Sequence, residues 1–120
     1  MGYTRYWNRT NKPLTEEFVS EVKRIINDSL SKGIGIKGWD GTGHPVITTS
    51  EILFNGAIAC EAFILTNSVK FDFCKTRRRP YDYTVREILK IAEKMGIVED
   101  VASDGEYEEI ISDEEYARSK

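Results

Sequence analysis

The sequence predicts an α+β fold: a mostly antiparallel sheet with two helices packed on one face. Two stretches repeat apolar residues at helical spacing, Phe18-Val22-Ile25-Ile26-Ser29 and Val85-Ile88-Leu89-Ala92-Met95. Between and around them lie short runs rich in aromatic and β-branched residues, punctuated by Asn, Gly, Ser and Pro. The 120 residues, 40% of them hydrophobic, suit one domain spanning 1–120. A chain of this size buries roughly two-thirds of the surface that its unfolded form exposes.

Residues 2–9 have strand composition, with Tyr3, Arg5 and Trp7 on one face and Thr4, Tyr6 and Asn8 on the other. The simpler expectation packs the aromatics over a sheet edge and leaves Arg5 and Arg9 in water. The functional one has Tyr3 or Trp7 wall a pocket while Arg5 reaches an anion. The first helix starts at Thr15, a good N-cap followed by Glu16 and Glu17, and closes at Lys32-Gly33. Residues 33–49 hold five of the nine glycines but match neither a dinucleotide fingerprint nor a P-loop. Ile34 and Ile36 suit a short strand. The loop beyond them carries Trp39, Asp40 and the lone His44, and is either a lid over a ligand or a surface connection. Strands are expected at Val46-Ile47 and Ile52–Phe54, with a turn at Asn55-Gly56.

The stretch from Ile52 to Asp82 organises the rest. Two apolar runs flank Thr66-Asn67-Ser68-Val69 and read as a hairpin. Alternation then gives a core face of Ala62, Ile64, Phe71 and Phe73. The opposite face carries Glu61, Phe63, Asp72, Cys74 and Thr76 and runs into Arg77, Arg78 and Arg79. After Pro80 a second helix runs from Tyr81 to about Met95, with Asp82 in its first turn and Gly96 at its end. Ile97, Val98 and Val101 suggest a last strand, and Ser103-Asp104-Gly105 a turn. Tyr107, Ile110, Ile111 and Tyr116 suit a short strand or helix, and residues 117–120 should fray.

Charge narrows the function classes. Seventeen basic and twenty acidic residues leave a net charge of -3, which disfavours nucleic acid and anionic membranes as partners. No run is long enough to span a membrane, and no apolar leader opens the chain. Cys60 and Cys74 face opposite sides of the expected hairpin, so both should be free thiols in a cytoplasmic protein. A lone histidine without partners at ligand spacing implies no metal site, and no cofactor motif occurs.

Gly2-Tyr3-Thr4-Arg5-Tyr6-Trp7 and Phe71-Asp72-Phe73-Cys74-Lys75-Thr76, with Pro80-Tyr81-Asp82, resemble a family of small uncharacterised bacteriophage and bacterial proteins. The resemblance covers most of the chain and includes Ser103-Asp104-Gly105. Its relatives carry histidine where this chain has Arg5 and Cys60. It implies no activity, and the two replacements weigh against an enzymatic role here.

The candidate ligand-binding residues are Arg5, Trp39, Glu61, Phe63, Asp72, Arg77, Arg78, Arg79 and Asp82. Guanidinium forks suit phosphate oxygens, carboxylates suit hydroxyl or amino groups, and Phe63 and Trp39 suit stacking. The expected function is non-catalytic binding of a small phosphorylated or nucleotide-like anion, with sequestration of a host nucleotide as a special case. A homo-oligomer is compatible with the sheet's second face. One alternative is a metal-assisted phosphoester hydrolase using Glu61, Asp72, Asp104 and His44. Another is a protein-interaction module using the acidic stretch 99–115, which also offers the arginines salt-bridge partners.

Overall fold

The structure is a computed structural model and describes residues 3–68, 70–105 and 109–119. The fold is α+β, with two antiparallel sheets and three helices among these residues. Strand β1 (Thr4–Arg9) lies at the centre of a three-stranded sheet, between β6 (Phe71–Lys75) and β7 (Val98–Ser103). The second sheet is built on β4 (Glu51–Gly56). Strand β5 (Phe63–Thr66) pairs with it on one side, and the short strands β2 (Ile36–Lys37) and β3 (Val46–Ile47) also pair with it. Between β2 and β3 the register against β4 slips by seven residues. The glycine-rich segment 38–45 is therefore an excursion out of one interrupted strand position.

Helix α1 (Glu16–Ser31) begins where expected: Thr15 Oγ1 accepts the Phe18 N–H at 3.1 Å. The stripe Phe18, Val22, Ile25, Ile26 and Ser29 is buried. At its end Gly33, at φ 76°, donates to Leu30 O, and Ile34 N donates to Ser29 O, the paired bonds of a Schellman motif. Helix α2 (Asp82–Lys94) ends in the same way through Gly96 and Ile97. The two helices pack against each other, and a buried hydrogen bond of 2.7 Å joins Ser29 Oγ to Thr84 Oγ1. A short helix α3 (Asp113–Arg118) carries a capping box at Ser112 and Glu115. Asp113 ties it to the main body by accepting the Gly35 N–H at 2.9 Å. Of the residues expected in this last element, Tyr107 lies outside those described.

The hairpin expectation fails. Strands β5 and β6 belong to different sheets: β5 pairs with β4, and β6 with β1. The faces are also inverted. Phe63, Leu65 and Cys74 are buried, Asp72 is half-buried on the Cys74 side, and Ile64, Phe71 and Phe73 are exposed. Period-two alternation was real, but alternation alone does not say which side faces the core. Phe63 is held inside by two aromatic neighbours, Trp7 at 5.2 Å and Phe54 at 5.1 Å between ring centroids. That cluster joins both sheets and both long helices in one core.

Asn55-Gly56 also departs from expectation, closing β4 rather than making a turn between runs. Asn55 is buried. Its amide donates to the Trp39 and Cys60 carbonyls at 3.0 and 2.9 Å, and its oxygen accepts the Cys60 N–H at 3.1 Å. Gly56 lies against the Tyr81 ring, where an added Cβ would come within 2.7 Å of a ring carbon.

Candidate functional site

The candidate residues separate onto the two sides of the three-stranded sheet. On its inner side Arg5, Trp7 and Arg9 are buried, which overturns the expectation that both arginines stay in water. Arg5 makes a two-pronged ion pair with Asp82: Nε and Nη2 each donate to one carboxylate oxygen at 2.8 Å. Thr76 Oγ1 adds a third bond to Asp82 at 2.7 Å. Asp82 sits in the first turn of α2, where the helix dipole favours a negative charge. The N-terminal end of this helix is thus answered internally. The Asp82 and Tyr83 N–H groups already donate to Arg79 O and Pro80 O. Arg5 and Asp82 serve each other and are closed to a ligand.

Glu61 and Asp72 are near one another, as expected, but their roles are local. Glu61 Oε1 accepts the Lys75 N–H at 3.0 Å, and its N–H donates to Lys75 O at 3.2 Å, so it closes the end of β6. Asp72 accepts its neighbour's N–H, that of Phe73, at 2.8 Å. Burial and the nearby Glu61 charge push the Asp72 carboxyl above its ordinary range. Cys74 is fully buried, its Sγ directed to the Glu61 and Ala62 carbonyls, and burial pushes the thiol strongly upward. Such a thiol is inert. Both cysteines are free. The hydrolase set does not converge. Asp104 is on the outer side of the sheet and His44 is in the exposed excursion, and the described residues contain no group of three or more metal-ligating side chains.

Trp39 is 64% exposed, and its carbonyl accepts from the Asn55 amide. Phe63, expected to stack on a ligand, belongs to the core instead. The arginine run makes a tight turn in which Arg79 N donates to Thr76 O at 3.1 Å. Arg77 and Arg78 occupy its centre with φ of 53° and 58°. Two consecutive non-glycine residues in the left-handed region cost of order 1–3 kcal/mol each. The Arg78 guanidinium lies over the Tyr3 ring at 5.0 Å. Arg77 and Arg79 form no ion pair with an acidic residue among those described. The Arg79 Nε is buried without a partner.

The sheet's outer side is the group that sequence reasoning missed. Tyr6, Phe71 and Phe73 form a triangle with all three ring-centroid separations at 6.4 Å, and Tyr6 and Phe71 lie within 20° of parallel. Phe71 is 56% exposed and Phe73 45%. With Thr4, Lys75 and Asp104 these rings line a shallow groove of about 530 Å³. Asp104 is fixed at its edge, accepting the Tyr6 hydroxyl at 2.9 Å and the Thr4 N–H at 3.0 Å. The bond to this carboxylate raises the Tyr6 phenol above its usual range. The signal lay in the same Phe-Asp-Phe alternation, read with the opposite face outward. No family model, curated protein or solved structure matches the chain.

Proposed function

We propose that the protein binds a nucleotide-like anion without turning it over, on the outer face of the β6-β1-β7 sheet. The observation that supports this best is the triangle of half-exposed aromatics. An aromatic side chain left in water on a sheet face offers a flat apolar platform to a base, and such stacking is worth about 1–3 kcal/mol per base. The groove also supplies both polar functions that a nucleotide needs. Lys75, on the same face, suits a phosphate, with Arg77 following two residues later. Asp104 opposite it has carboxylate lone pairs left for a ribose hydroxyl or a base amino group. This keeps the ligand class that the sequence suggested and replaces most of its residues. Tyr6, Phe71 and Phe73 take over from Phe63 and Trp39, and Arg5 and Asp82 become supports beneath the sheet. Sequestration of a signalling nucleotide remains the special case suggested by the phage-type resemblance.

Calorimetric titration with the common nucleoside mono- and diphosphates tests the proposal. Phe71→Ala should weaken the tightest of them roughly 5- to 150-fold, the range set by losing one stacked base. If no nucleotide binds below millimolar concentration, or if the variant binds as tightly as the parent, the reading is wrong. Conversion of the bound nucleotide during incubation would instead favour an enzyme.

A further inference from the structure

We propose that a second, separate cleft at the far end of β1, around Arg9 and Lys70, binds a phosphate group, free or as a small phosphomonoester. Arg9 invites comparison with Arg5, since both point to the inner side of the sheet. Arg5 has the Asp82 carboxylate; Arg9 has no acid. Its Nε donates to Thr66 O at 2.7 Å, Nη1 to Ile97 O, and Nη2 to Lys12 O and Asn67 Oδ1, both at 3.0 Å. All four acceptors are neutral. Arg9 as a whole residue is nevertheless only 6% exposed, and an arginine side chain keeps its charge. A buried charge without a counter-ion is expensive, and carbonyl dipoles offset only part of that.

The surroundings point to what completes it. Arg9 lines a cleft of about 300 Å³ shared with Asn11, Ser68 and Lys70. Among the described residues no acidic side chain lines this cleft, although the protein as a whole is net acidic. Lys70 adds a second positive charge and has no ion pair among the described residues. A guanidinium has five N–H donors, and the four bonds above leave one on Nη1. The Asn11 amide supplies further donors, and the Ser68 hydroxyl, 3.2 Å from Thr66 Oγ1, adds another when Thr66 is the donor of that pair. A tetrahedral oxyanion, with acceptors pointing several ways, suits converging donors better than a flat carboxylate does. The volume is at the lower end for small-molecule sites and admits phosphate with a small organic remainder.

The test is a titration of the full chain with inorganic phosphate and with glycerol phosphate, followed by amide NMR shifts, with chloride at matched ionic strength as reference. Saturable shifts at Asn11, Ser68 and Lys70 are expected for phosphate and not for chloride. Lys70→Ala should weaken binding roughly two- to tenfold. Arg9 also holds three chain segments together, so the rim variant carries the test. Tighter binding of glycerol phosphate identifies a phosphomonoester, and tighter binding of the inorganic ion identifies free phosphate; either supports the site. Equal response to chloride, no response, or parent-like affinity in Lys70→Ala overturns it. Phe73→Ala, in the outer groove and outside the cleft lining, should leave this titration unchanged, which separates it from the nucleotide reading.

Discussion

The two faces of the β6-β1-β7 sheet reverse the usual allocation of residue types. Charged Arg5 and Arg9 lie inside, while Phe71 and Phe73 stand half in water outside. The inner face is possible because Arg9 donates to neutral oxygens of three chain segments, and Arg5 has a full counter-charge in Asp82. The outer face is possible because the core is already filled by Trp7, Phe54 and Phe63 from neighbouring strands. Burial is thus decided by what the partner strands supply, and residue type alone does not settle it.

The largest test of this contrast is on the inner side. Arg5→Ala should destabilise the protein by about 3–5 kcal/mol, because it leaves the Asp82 carboxylate buried and unpaired. Phe63→Ala should cost a similar amount, about 3–5 kcal/mol, through the cavity it opens. Urea unfolding at neutral pH measures both. A loss under 1 kcal/mol in either would mean that the inner face is less closed than its geometry indicates.

Phe71→Ala and Phe73→Ala should behave differently, each costing less than about 1.5 kcal/mol because much of each ring remains in water. Under the proposed nucleotide reading, their effect belongs in ligand affinity. If either unfolds the protein, the outer face is packing against something and the comparison fails.

Away from both faces, the Tyr83 hydroxyl donates to Asp28, and burial followed by that bond pushes its phenol up to about 12. A pKa raised on folding stabilises the protein below the unfolded value, near 10, and that contribution is lost as pH rises through about 12. Thermal unfolding between pH 9 and 12 should show a steeper decline in the parent than in Tyr83→Phe, on the order-of-magnitude window set by those two values.

The smallest effect is expected at Asp72. Its raised pKa means that the ionised form is disfavoured by folding, so Asp72→Asn should be neutral or slightly stabilising at pH 7, solvent screening keeping the gain small. The gain should vanish below the carboxylate range, where Asp72 is protonated in both states. A clear destabilisation at pH 7 would reveal a favourable partner for this carboxylate.

Both long helices were legible because their information is local: a stripe and a glycine stop within about four turns, with a side-chain cap as well in α1. Residues Thr15 through Gly33 contain everything that specifies α1. The partner of β6 is not written near it. Phe71 to Lys75 pair with a strand more than sixty residues earlier, and Arg5 finds its carboxylate 77 positions away. No pattern within 66–82 distinguishes a hairpin from a crossover between sheets, and the wrong choice turned every side chain of both strands over. Arg5 and Asp82 were recognised as consequential for the right chemistry, since a guanidinium does meet an oxyanion there. The oxyanion belongs to the protein.

The position of β1 sets an order of events in folding. It is the first strand along the chain, yet both its ladders await residues 71–75 and 98–103. Most of the polypeptide must therefore be present before Trp7 and Tyr6 gain their strand partners, and such long-range closure slows folding. In the interval the segment is an unpaired aromatic edge, open to association with other chains. Pulse-labelled hydrogen exchange should find α1 protected before β1, so dilute refolding conditions should raise the yield.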